Sequence, residues 1–417
     1  MESLAFLTED QVRRIQAEFG TPVFVYDART LERRAREVLA FPNAFGLTAR
    51  FAIKSLPNAA VLRLFHGLGL HIDASSGYEA ERALRAGIPA AHIQITAQEL
   101  PKDLAGLVRQ GCTFNACSLS QLEAYGRLFP HTEVSVRVNP GLGSGHSNRT
   151  NVGGPSASFG IWHEHLGEAL DAAANHHVRI TGMHTHIGSG SDPEMWVHCA
   201  GMSLAIAARL PEVTRLSLGG GYKIARISTE KQANLQDIGG RMAAQFEAFA
   251  REQGRKLHLE VEPGTYLVAN AGALVCTVID VVDTGAAGHS FIKVDGGMTE
   301  NTRPSLYGAQ HPIIVVPKTA DAARGEGDYL VAGHCCESGD IFTPEADNPE
   351  GLGPRRLVRP EAGDALVMEA CGAYCSSMST KNYNSFPECA ELLLQADGTP
   401  QLIRRRQTLD QIVQNEL

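Results

Sequence analysis

Eight short runs of apolar and β-branched residues recur at fairly even spacing as far as Glu262, mostly separated by segments of helical character such as Gly77–Ala86 and Leu119–Phe129. Short buried strands that alternate with helices favour a parallel sheet, and eight such units predict a closed (β/α)8 barrel of the TIM type. The predicted strands are Arg50–Lys54, His71–Ala74, Ile93–Thr96, Thr113–Ala116, Val134–Asn139, Ile180–His186, Arg215–Leu218 and Leu257–Glu262.

Residues suited to binding a cofactor fall at the carboxyl ends of several predicted strands. They are Lys54, Asp73, His186, the Gly219-Gly220-Gly221 turn and Glu262. Taken alone, Lys54 would be a surface lysine, Gly219–Gly221 a tight turn and His186 a core histidine. Because the active site of such a barrel lies at the carboxyl ends of its strands, their common placement favours a shared site.

The chemistry of this set predicts pyridoxal phosphate. A lysine amine forms a Schiff base with the cofactor, and a glycine run lets backbone N–H groups approach a phosphate closely. A carboxylate at Glu262 could keep the pyridine nitrogen protonated, and His186 could lie against the ring face.

The alternation of helix and strand stops after Gly264, which indicates a second domain. Runs such as Ala273–Val282, Ser290–Val294 and Ile313–Val316 predict an antiparallel β domain. We expect residues 1–28 to join that domain, 29–265 to form the barrel and 266–417 to form the β domain. Residues 140–160 predict a long loop, and Thr343–Arg359 predicts an irregular insertion.

Composition excludes several classes of protein. The net charge of −9, without a long basic run, argues against nucleic acid and anionic membranes as partners. Nine cysteines without a CxxC pair indicate reduced thiols, and the amino terminus lacks the pattern of a secretory signal, so we expect a cytoplasmic protein. His184 and His186 are judged a poor ligand pair, and no metal is expected.

Motifs spread through almost the whole chain resemble the fold-type-III pyridoxal-phosphate decarboxylases, which share the fold of alanine racemase and ornithine decarboxylase, and most closely the diaminopimelate decarboxylases. Cys336-Glu337-Ser338-Gly339-Asp340 followed by Gly372-Ala373-Tyr374 is the most specific part of the match. The other segments are Phe51–Lys54, Arg137–Trp162 with Thr150–Gly154 inside it, His184–Ser189, Leu218–Gly221, Glu262–Gly264, Asp295–Met298, Arg303–Tyr307 and Leu402–Thr408.

The resemblance implies decarboxylation of meso-2,6-diaminopimelate to L-lysine, and it implies roles for individual residues. Lys54 would bind the cofactor covalently, and Cys336 would donate a proton. The other cofactor-binding residues would be Asp73, His186, Ser189, Gly219, Gly220, Gly221, Glu262, Gly264, Thr265 and Tyr374. The substrate would be bound by Arg303, Tyr307, Glu337 and Tyr374. In this family the cysteine and glutamate come from the partner subunit, so a homodimer with a shared active site is implied.

The chain departs from the family pattern at four places. Thr265 stands where the family has an arginine that helps to bind the phosphate or the substrate carboxylate. Tyr78 replaces a glycine, His334-Cys335 replaces a proline and a variable residue, and Ser379–Asn384 contains an additional residue.

Other functions stay open from the sequence. Because Thr265 replaces the family's arginine, one alternative is a related decarboxylase that acts on D-lysine, D-ornithine or carboxynorspermidine. A cofactor-binding regulator without turnover is disfavoured because both Lys54 and Cys336 are present. A racemase would need a second base opposite the lysine, and the Cys336–Asp340 segment suits a decarboxylase better.

Overall fold

The structure, a computed structural model, describes residues 2–143, 152–186, 188–320 and 324–417. The chain divides into two compact units. The barrel unit comprises Glu32–Ile224 and Lys231–Leu267, and the β unit comprises Met1–Leu31, Ala225–Glu230 and Val268–Leu417. Within the described residues, no helix is both long and apolar enough to cross a bilayer.

Helices and strands are numbered in chain order. The strands are β1 Val23–Asp27, β2 Leu47–Ala52, β3 His71–Ala74, β4 Ile93–Ile95, β5 Thr113–Ala116, β6 Glu133–Asn139, β7 Ile161–Trp162, β8 Arg179–His184, β9 Arg215–Ser217, β10 His258–Val261, β11 Gly272–Asp283, β12 Ser290–Val294, β13 Ile313–Val316, β14 Glu326–Ala332, β15 Pro344–Glu345, β16 Asn348–Leu352, β17 Arg355–Val358, β18 Ala365–Met368, β19 Ala390–Leu394 and β20 Pro400–Arg404. The α-helices are α1 Glu9–Phe19, α2 Ala28–Leu39, α3 Ala59–Gly67, α4 Gly77–Arg85, α5 Leu104–Arg109, α6 Leu119–Leu128, α7 Leu166–Asn175, α8 Pro193–Ala208, α9 Leu235–Gln253, α10 Thr265–Val268, α11 Arg303–Tyr307 and α12 Leu409–Val413.

The barrel unit contains a closed ring of eight parallel strands. Their order is β5, β4, β3, β2, β10, β9, β8, β6, and pairing of β5 with β6 closes the ring. The strands are short and mostly buried along their length, as expected when a parallel sheet is covered on both faces. This arrangement confirms the predicted barrel.

The strand ends differ slightly from the predicted ones. Strand β2 ends at Ala52, and Lys54 lies in a 3₁₀ turn over Ile53–Ser55 rather than at the tip of the strand. The Ser55 hydroxyl donates to the Ala52 carbonyl at 2.8 Å, which closes this turn. His186 likewise follows the end of β8, beyond His184.

The predicted loop at 140–160 is only partly described. Residues 144–151, which include Thr150 and Asn151 of the family motif, lie outside the described residues, as does Ile187 of the His184–Ser189 motif. After the loop, strand β7 pairs in parallel with β6.

The β unit is built on a sheet in which most pairings are antiparallel. Strand β1, near the amino terminus, pairs antiparallel with β11 and parallel with β19, so the opening strand belongs to this sheet. Strand β12 also pairs in parallel with β14. The β domain is therefore largely, but not wholly, antiparallel.

Helix α1 packs on one face of this sheet. Thr8 and Gln11 form a capping box at its start, which satisfies backbone N–H groups that would otherwise lack a partner. Val12 and Ile15 on α1 belong to the same buried cluster as Val23 on β1. The amino-terminal segment is thus part of the core of the β unit.

The prediction of an irregular insertion at Thr343–Arg359 was wrong. Strands β15 and β16 form a small antiparallel hairpin, and β17 pairs with β14 at the edge of the main sheet. Proline, glycine and acidic residues obscure these strands in the sequence because such residues are depleted in strands.

Candidate active site

Four of the predicted site residues lie at the carboxyl ends of barrel strands. Asp73 is the third residue of the four-residue strand β3, and Lys54, His186 and Glu262 follow the ends of β2, β8 and β10. In a closed parallel barrel these ends meet on one face. The fold thus brings together residues that are far apart in the sequence.

Glu262 is a buried carboxylate held by three side chains. Its Oε2 contacts Nε2 of His184 at 2.8 Å, and its Oε1 accepts from Oγ of Ser217 at 2.9 Å and Nε2 of Gln94 at 3.3 Å. Burial by itself would raise the pKa of Glu262, but His184 and the Ser217 hydrogen bond outweigh burial and lower the pKa to about 2. Glu262 is therefore ionised at neutral pH.

The pKa of Asp73 is shifted in the opposite direction, upward from its usual value. Burial, followed by the negative charge of Glu262, raises the pKa of Asp73 to about 7, while Lys54 acts to lower it. Oδ1 of Asp73 is buried without a hydrogen-bond partner among the residues that the structure describes. Two carboxyl groups with pKa values pushed so far apart are typical of a functional site.

His186 has a neutral imidazole ring. Burial, then the positive charges of Arg137 and Lys54, lower the pKa of His186 well below its usual value. A Cβ atom built on Gly219 would lie 2.7 Å from Nδ1 of His186, so the glycine allows the ring to pack against the backbone. A neutral flat ring is suited to stacking on another ring.

The Gly219-Gly220-Gly221 turn needs glycine for steric reasons. Gly219 and Gly221 have φ values of +70° and +94°, and a Cβ on Gly221 would collide with the Gly188 carbonyl oxygen. The Gly190 N–H donates to the Gly221 carbonyl at 3.0 Å, which brings Ser189 beside the turn. A Cβ on Gly264 would lie 3.2 Å from Oγ of Ser55, next to Lys54. These glycines form a narrow cradle in which backbone segments approach one another closely.

Cys336, the predicted proton donor, lies in the β unit on a loop whose backbone is held by hydrogen bonds. The backbone N–H of Cys336 donates to Oδ1 of Asn384 at 2.9 Å, and the buried Asp340 accepts from the N–H groups of Met298 at 2.7 Å and Cys335 at 2.9 Å. These contacts hold the backbone of the loop while Cys336 and Glu337 are exposed.

Three further predicted residues also belong to the β unit. The guanidinium of Arg303 lies over the ring of Tyr307, 5.7 Å from its centroid, at the two ends of the short helix α11. Tyr374 has a φ of +57°, a strained conformation for a tyrosine. Gly372 precedes it closely, and a Cβ there would collide with the Val268 carbonyl oxygen. The backbone around Tyr374 is thus tightly constrained.

His334, Tyr78 and Thr265, which depart from the family pattern, lie in three different parts of the structure. Nε2 of His334 lies 2.7 Å from Oγ1 of Thr299, and its ring stacks on Phe386 with centroids 3.6 Å apart. Tyr78 on α4 is 72% exposed, and Thr265 begins helix α10.

Comparison with known proteins identifies the family. Residues 29–269 match the family model described as the pyridoxal binding domain of pyridoxal-dependent decarboxylases. The diaminopimelate decarboxylase of Escherichia coli K12 is 38% identical, and the match covers 99% of this chain and 97% of that protein.

The chain belongs to the pyridoxal-dependent decarboxylase family.

Solved structures of family members share the fold. A crystal structure of diaminopimelate decarboxylase matches with a TM-score of 0.91 and 36% identity, covering 99% of this chain and 97% of that one. The diaminopimelate decarboxylase of Helicobacter pylori, solved in complex with L-lysine, matches with a TM-score of 0.84 and 26% identity over 97% and 98% of the two chains. The protein is therefore an amino-acid decarboxylase that uses pyridoxal phosphate.

The barrel residues fit the cofactor of a pyridoxal-dependent decarboxylase. An ionised carboxylate at Glu262 complements a protonated pyridine nitrogen, and glycines, which have no side chain, allow a phosphate to approach the backbone closely. Asp73 Oδ1 and Nδ1 of His186 are buried atoms that lack a partner within the described part of the chain. Such atoms are expected where a polar ligand completes the hydrogen bonds.

Several residues of this decarboxylase site were missed from the sequence. His184 was considered as a metal ligand and as part of the His184–Ser189 motif, but its role was not predicted: it holds Glu262 together with Ser217 and Gln94. Arg137, buried with an unpartnered Nη2, acts electrostatically on Asp73, Glu262 and His186. The only signal in the sequence was the presence of a polar residue inside an apolar strand. The partners of each such residue could not be predicted, because they are remote in sequence.

Replacing Gly221 by alanine should weaken cofactor binding in this decarboxylase. The positive φ and the collision with Gly188 should lower the free energy of unfolding by about 1–3 kcal/mol and raise the dissociation constant for pyridoxal phosphate about tenfold or more. Thermal unfolding and absorbance titration measure these effects. Gly240→Ala is the control, because open space surrounds that helical glycine and alanine should stabilise it by about 0.5–1 kcal/mol. If Gly221→Ala binds pyridoxal phosphate as tightly as the wild type, the glycine turn does not form part of the phosphate site.

Proposed function

We propose that the protein removes carbon dioxide from meso-2,6-diaminopimelate to give L-lysine, as a step of lysine biosynthesis. The observation that carries the proposal is the 38% identity to a diaminopimelate decarboxylase, which extends over 99% of this chain. The solved relative in complex with L-lysine supports the product.

In this proposal the barrel residues bind and tune the cofactor. Bound pyridoxal phosphate supplies an electron sink for the bond to the departing carboxyl group. Lys54 would attach the cofactor, and the ionised Glu262 would keep its pyridine nitrogen protonated. The neutral His186 would lie against the cofactor ring. The remaining proposed cofactor contacts are Asp73, Ser189, Gly219, Gly220, Gly221, Gly264, Thr265 and Tyr374.

The residues of the β unit act on the substrate in this proposal. Arg303 and Tyr307 bind the distal carboxylate, Glu337 and Tyr374 bind other polar groups, and Cys336 protonates the carbon that loses carbon dioxide. The resemblance implies that Cys336 and Glu337 serve the active site of a partner subunit, so we propose a homodimer. Their exposure in the single chain supports this arrangement.

Two further proposals concern organisation. All nine cysteines are free thiols, which supports a reducing, cytoplasmic compartment. We also propose domain boundaries at residues 1–28, 29–265 and 266–417, which limited proteolysis would test.

Carbon dioxide release tests the proposed substrate. The purified holoenzyme should decarboxylate meso-diaminopimelate with a higher kcat/KM than D-lysine or D-ornithine. The second candidate is a decarboxylase for one of these other amino acids, and it is favoured by Thr265, which lacks the positive charge of an arginine. A preference for D-lysine or D-ornithine would replace the proposed substrate.

Arg303→Ala should reduce activity selectively. Leaving a carboxylate unpaired in a closed site costs roughly 2–5 kcal/mol. We therefore expect kcat/KM for meso-diaminopimelate to fall by at least about 30-fold. D-lysine, which lacks the distal carboxylate, serves as the control substrate and should be far less affected. Equal losses on both substrates would mean that Arg303 has a structural role.

A further inference from the structure

A histidine and two cysteines lie together in the interior of the β unit. Within the described parts of the chain, His311, Cys371 and Cys375 are the one group of three metal-binding side chains whose ligand atoms all lie within 4.8 Å of one another. Each of these residues is at most 1% exposed. Cysteine sulfur and histidine nitrogen are ligands that Zn²⁺ prefers, and two cysteines with one histidine form a known zinc ligand set.

The spacing between two of the ligand atoms agrees with a zinc site. Nδ1 of His311 lies 3.6 Å from Sγ of Cys371. Zinc bonds of roughly 2.0–2.1 Å to nitrogen and roughly 2.3 Å to sulfur, at a tetrahedral angle, place such atoms about 3.6 Å apart. These two residues are separated by 60 positions in the sequence, so the fold of the β unit rather than a local turn brings them to this distance.

The hydrogen bonds of these side chains are weak or replaceable. Sγ of Cys371 lies 3.5 Å from the Glu369 carbonyl oxygen, and Nδ1 of His311 lies 3.0 Å from the same oxygen. Sγ of Cys375 lies 3.5 Å from the Ala373 carbonyl oxygen, and a thiol is a weak donor. Because zinc binds thiolates and a neutral imidazole, an ion would take the place of the protons in these contacts.

Asn301 provides a polar contact beside the cluster. Nδ2 of this buried residue lies 3.8 Å from Sγ of Cys371 and 3.2 Å from Sδ of Met368. An amide N–H group directed at a sulfur ligand stabilises the thiolate, and contacts of this kind orient the ligands of metal sites.

We propose that His311, Cys371 and Cys375 bind one Zn²⁺ ion, with a water molecule at the fourth position. The two thiolates balance the charge of the ion, so the buried group is neutral. Zinc binding here is independent of which amino acid the enzyme decarboxylates. No metal is expected from the sequence, because His311 is remote from both cysteines. Cys371 and Cys375 flank Tyr374, so the ion also fixes the segment that contains this strained residue.

Metal analysis of the purified holoenzyme tests the site. Protein produced in zinc-supplemented medium and passed over a chelating resin should retain about one zinc ion per chain, because structural zinc is bound tightly. X-ray absorption at the zinc edge should show two sulfur scatterers at roughly 2.3 Å and nitrogen or oxygen scatterers at roughly 2.0–2.1 Å. A zinc content below about 0.1 per chain, or a spectrum without sulfur scatterers, would overturn the inference.

Two variants and one control link the zinc to these residues. Cys371→Ala and Cys375→Ala should each lower the zinc content at least about tenfold and lower the melting temperature. Cys389→Ala removes another buried free thiol of the β unit and should keep the zinc. Zinc retained in both Cys371→Ala and Cys375→Ala would place the ion elsewhere and overturn the inference, as would a disulfide between Cys371 and Cys375 in the wild type. If a variant fails to fold, the X-ray absorption of the wild type still tests the ligand set.

Discussion

Lys54→Ala should abolish covalent attachment of pyridoxal phosphate and lower kcat by on the order of 10³-fold or more, because the lysine provides the reactive amine of the site. Borohydride reduction of the wild-type holoenzyme should fix the cofactor on one peptide, and mass spectrometry should locate it at Lys54. The exposure of Lys54 in its 3₁₀ turn makes the amine accessible to the cofactor.

Lys293→Ala provides the matched control for this experiment. Lys293 lies on β12, lies 4.0 Å from Asp280 and has no proposed role, so its replacement should leave absorbance and activity unchanged. A cofactor label on Lys223 or Lys293 in the wild type would refute the assignment of Lys54.

Cys336→Ala should retain the cofactor but lower kcat by roughly 10²–10⁴-fold, the usual contribution of a positioned general acid. The loop backbone is held through Asn384 and Asp340, so removal of the thiol should not change the fold. Steady-state kinetics, the absorbance spectrum and product analysis measure these effects. Turnover equal to that of the wild type, with the same product, would mean that another group donates the proton.

Two experiments complete the test of Cys336. Cys335→Ala is the neighbouring control: burial and Asp340 raise the pKa of the Cys335 thiol to about 12, and its loss should affect kcat little. Mixing the two impaired proteins, Lys54→Ala and Cys336→Ala, tests the shared active site. Mixed dimers should regain activity, since each contains one site with both residues intact. No recovery despite exchange of subunits would contradict a site shared between partners.

Much of the barrel was predictable because each strand corresponds to a short run of apolar and β-branched residues in the sequence. The predicted run His71–Ala74 agrees with β3, and Thr113–Ala116 agrees with β5. The parallel arrangement then placed Lys54 and Glu262 at one end without any knowledge of contacts. Local patterns of this kind are what a single sequence conveys.

The contacts that tune the site could not be predicted in the same way. His184 and Ser217 reach Glu262 across separations of 78 and 45 residues, and nothing in their neighbouring sequence indicates the partner. The strands within Thr343–Arg359 were missed because partners elsewhere in the β unit stabilise residues with low strand propensity.

Because the pKa values of Glu262 and Asp73 differ so widely, only one of these two carboxyl groups at the barrel mouth titrates near neutral pH. From these two groups the site carries one negative charge below a pH of about 7 and two above it, and only Asp73 changes in that range. Because the folded pKa of Asp73 exceeds its unfolded value, rising pH between those two values removes stability from the fold. Glu262 contributes stability above its unfolded pKa, and this is lost only as the pH falls toward about 2. Charge at the mouth can therefore vary near neutrality while the carboxylate of Glu262 stays ionised.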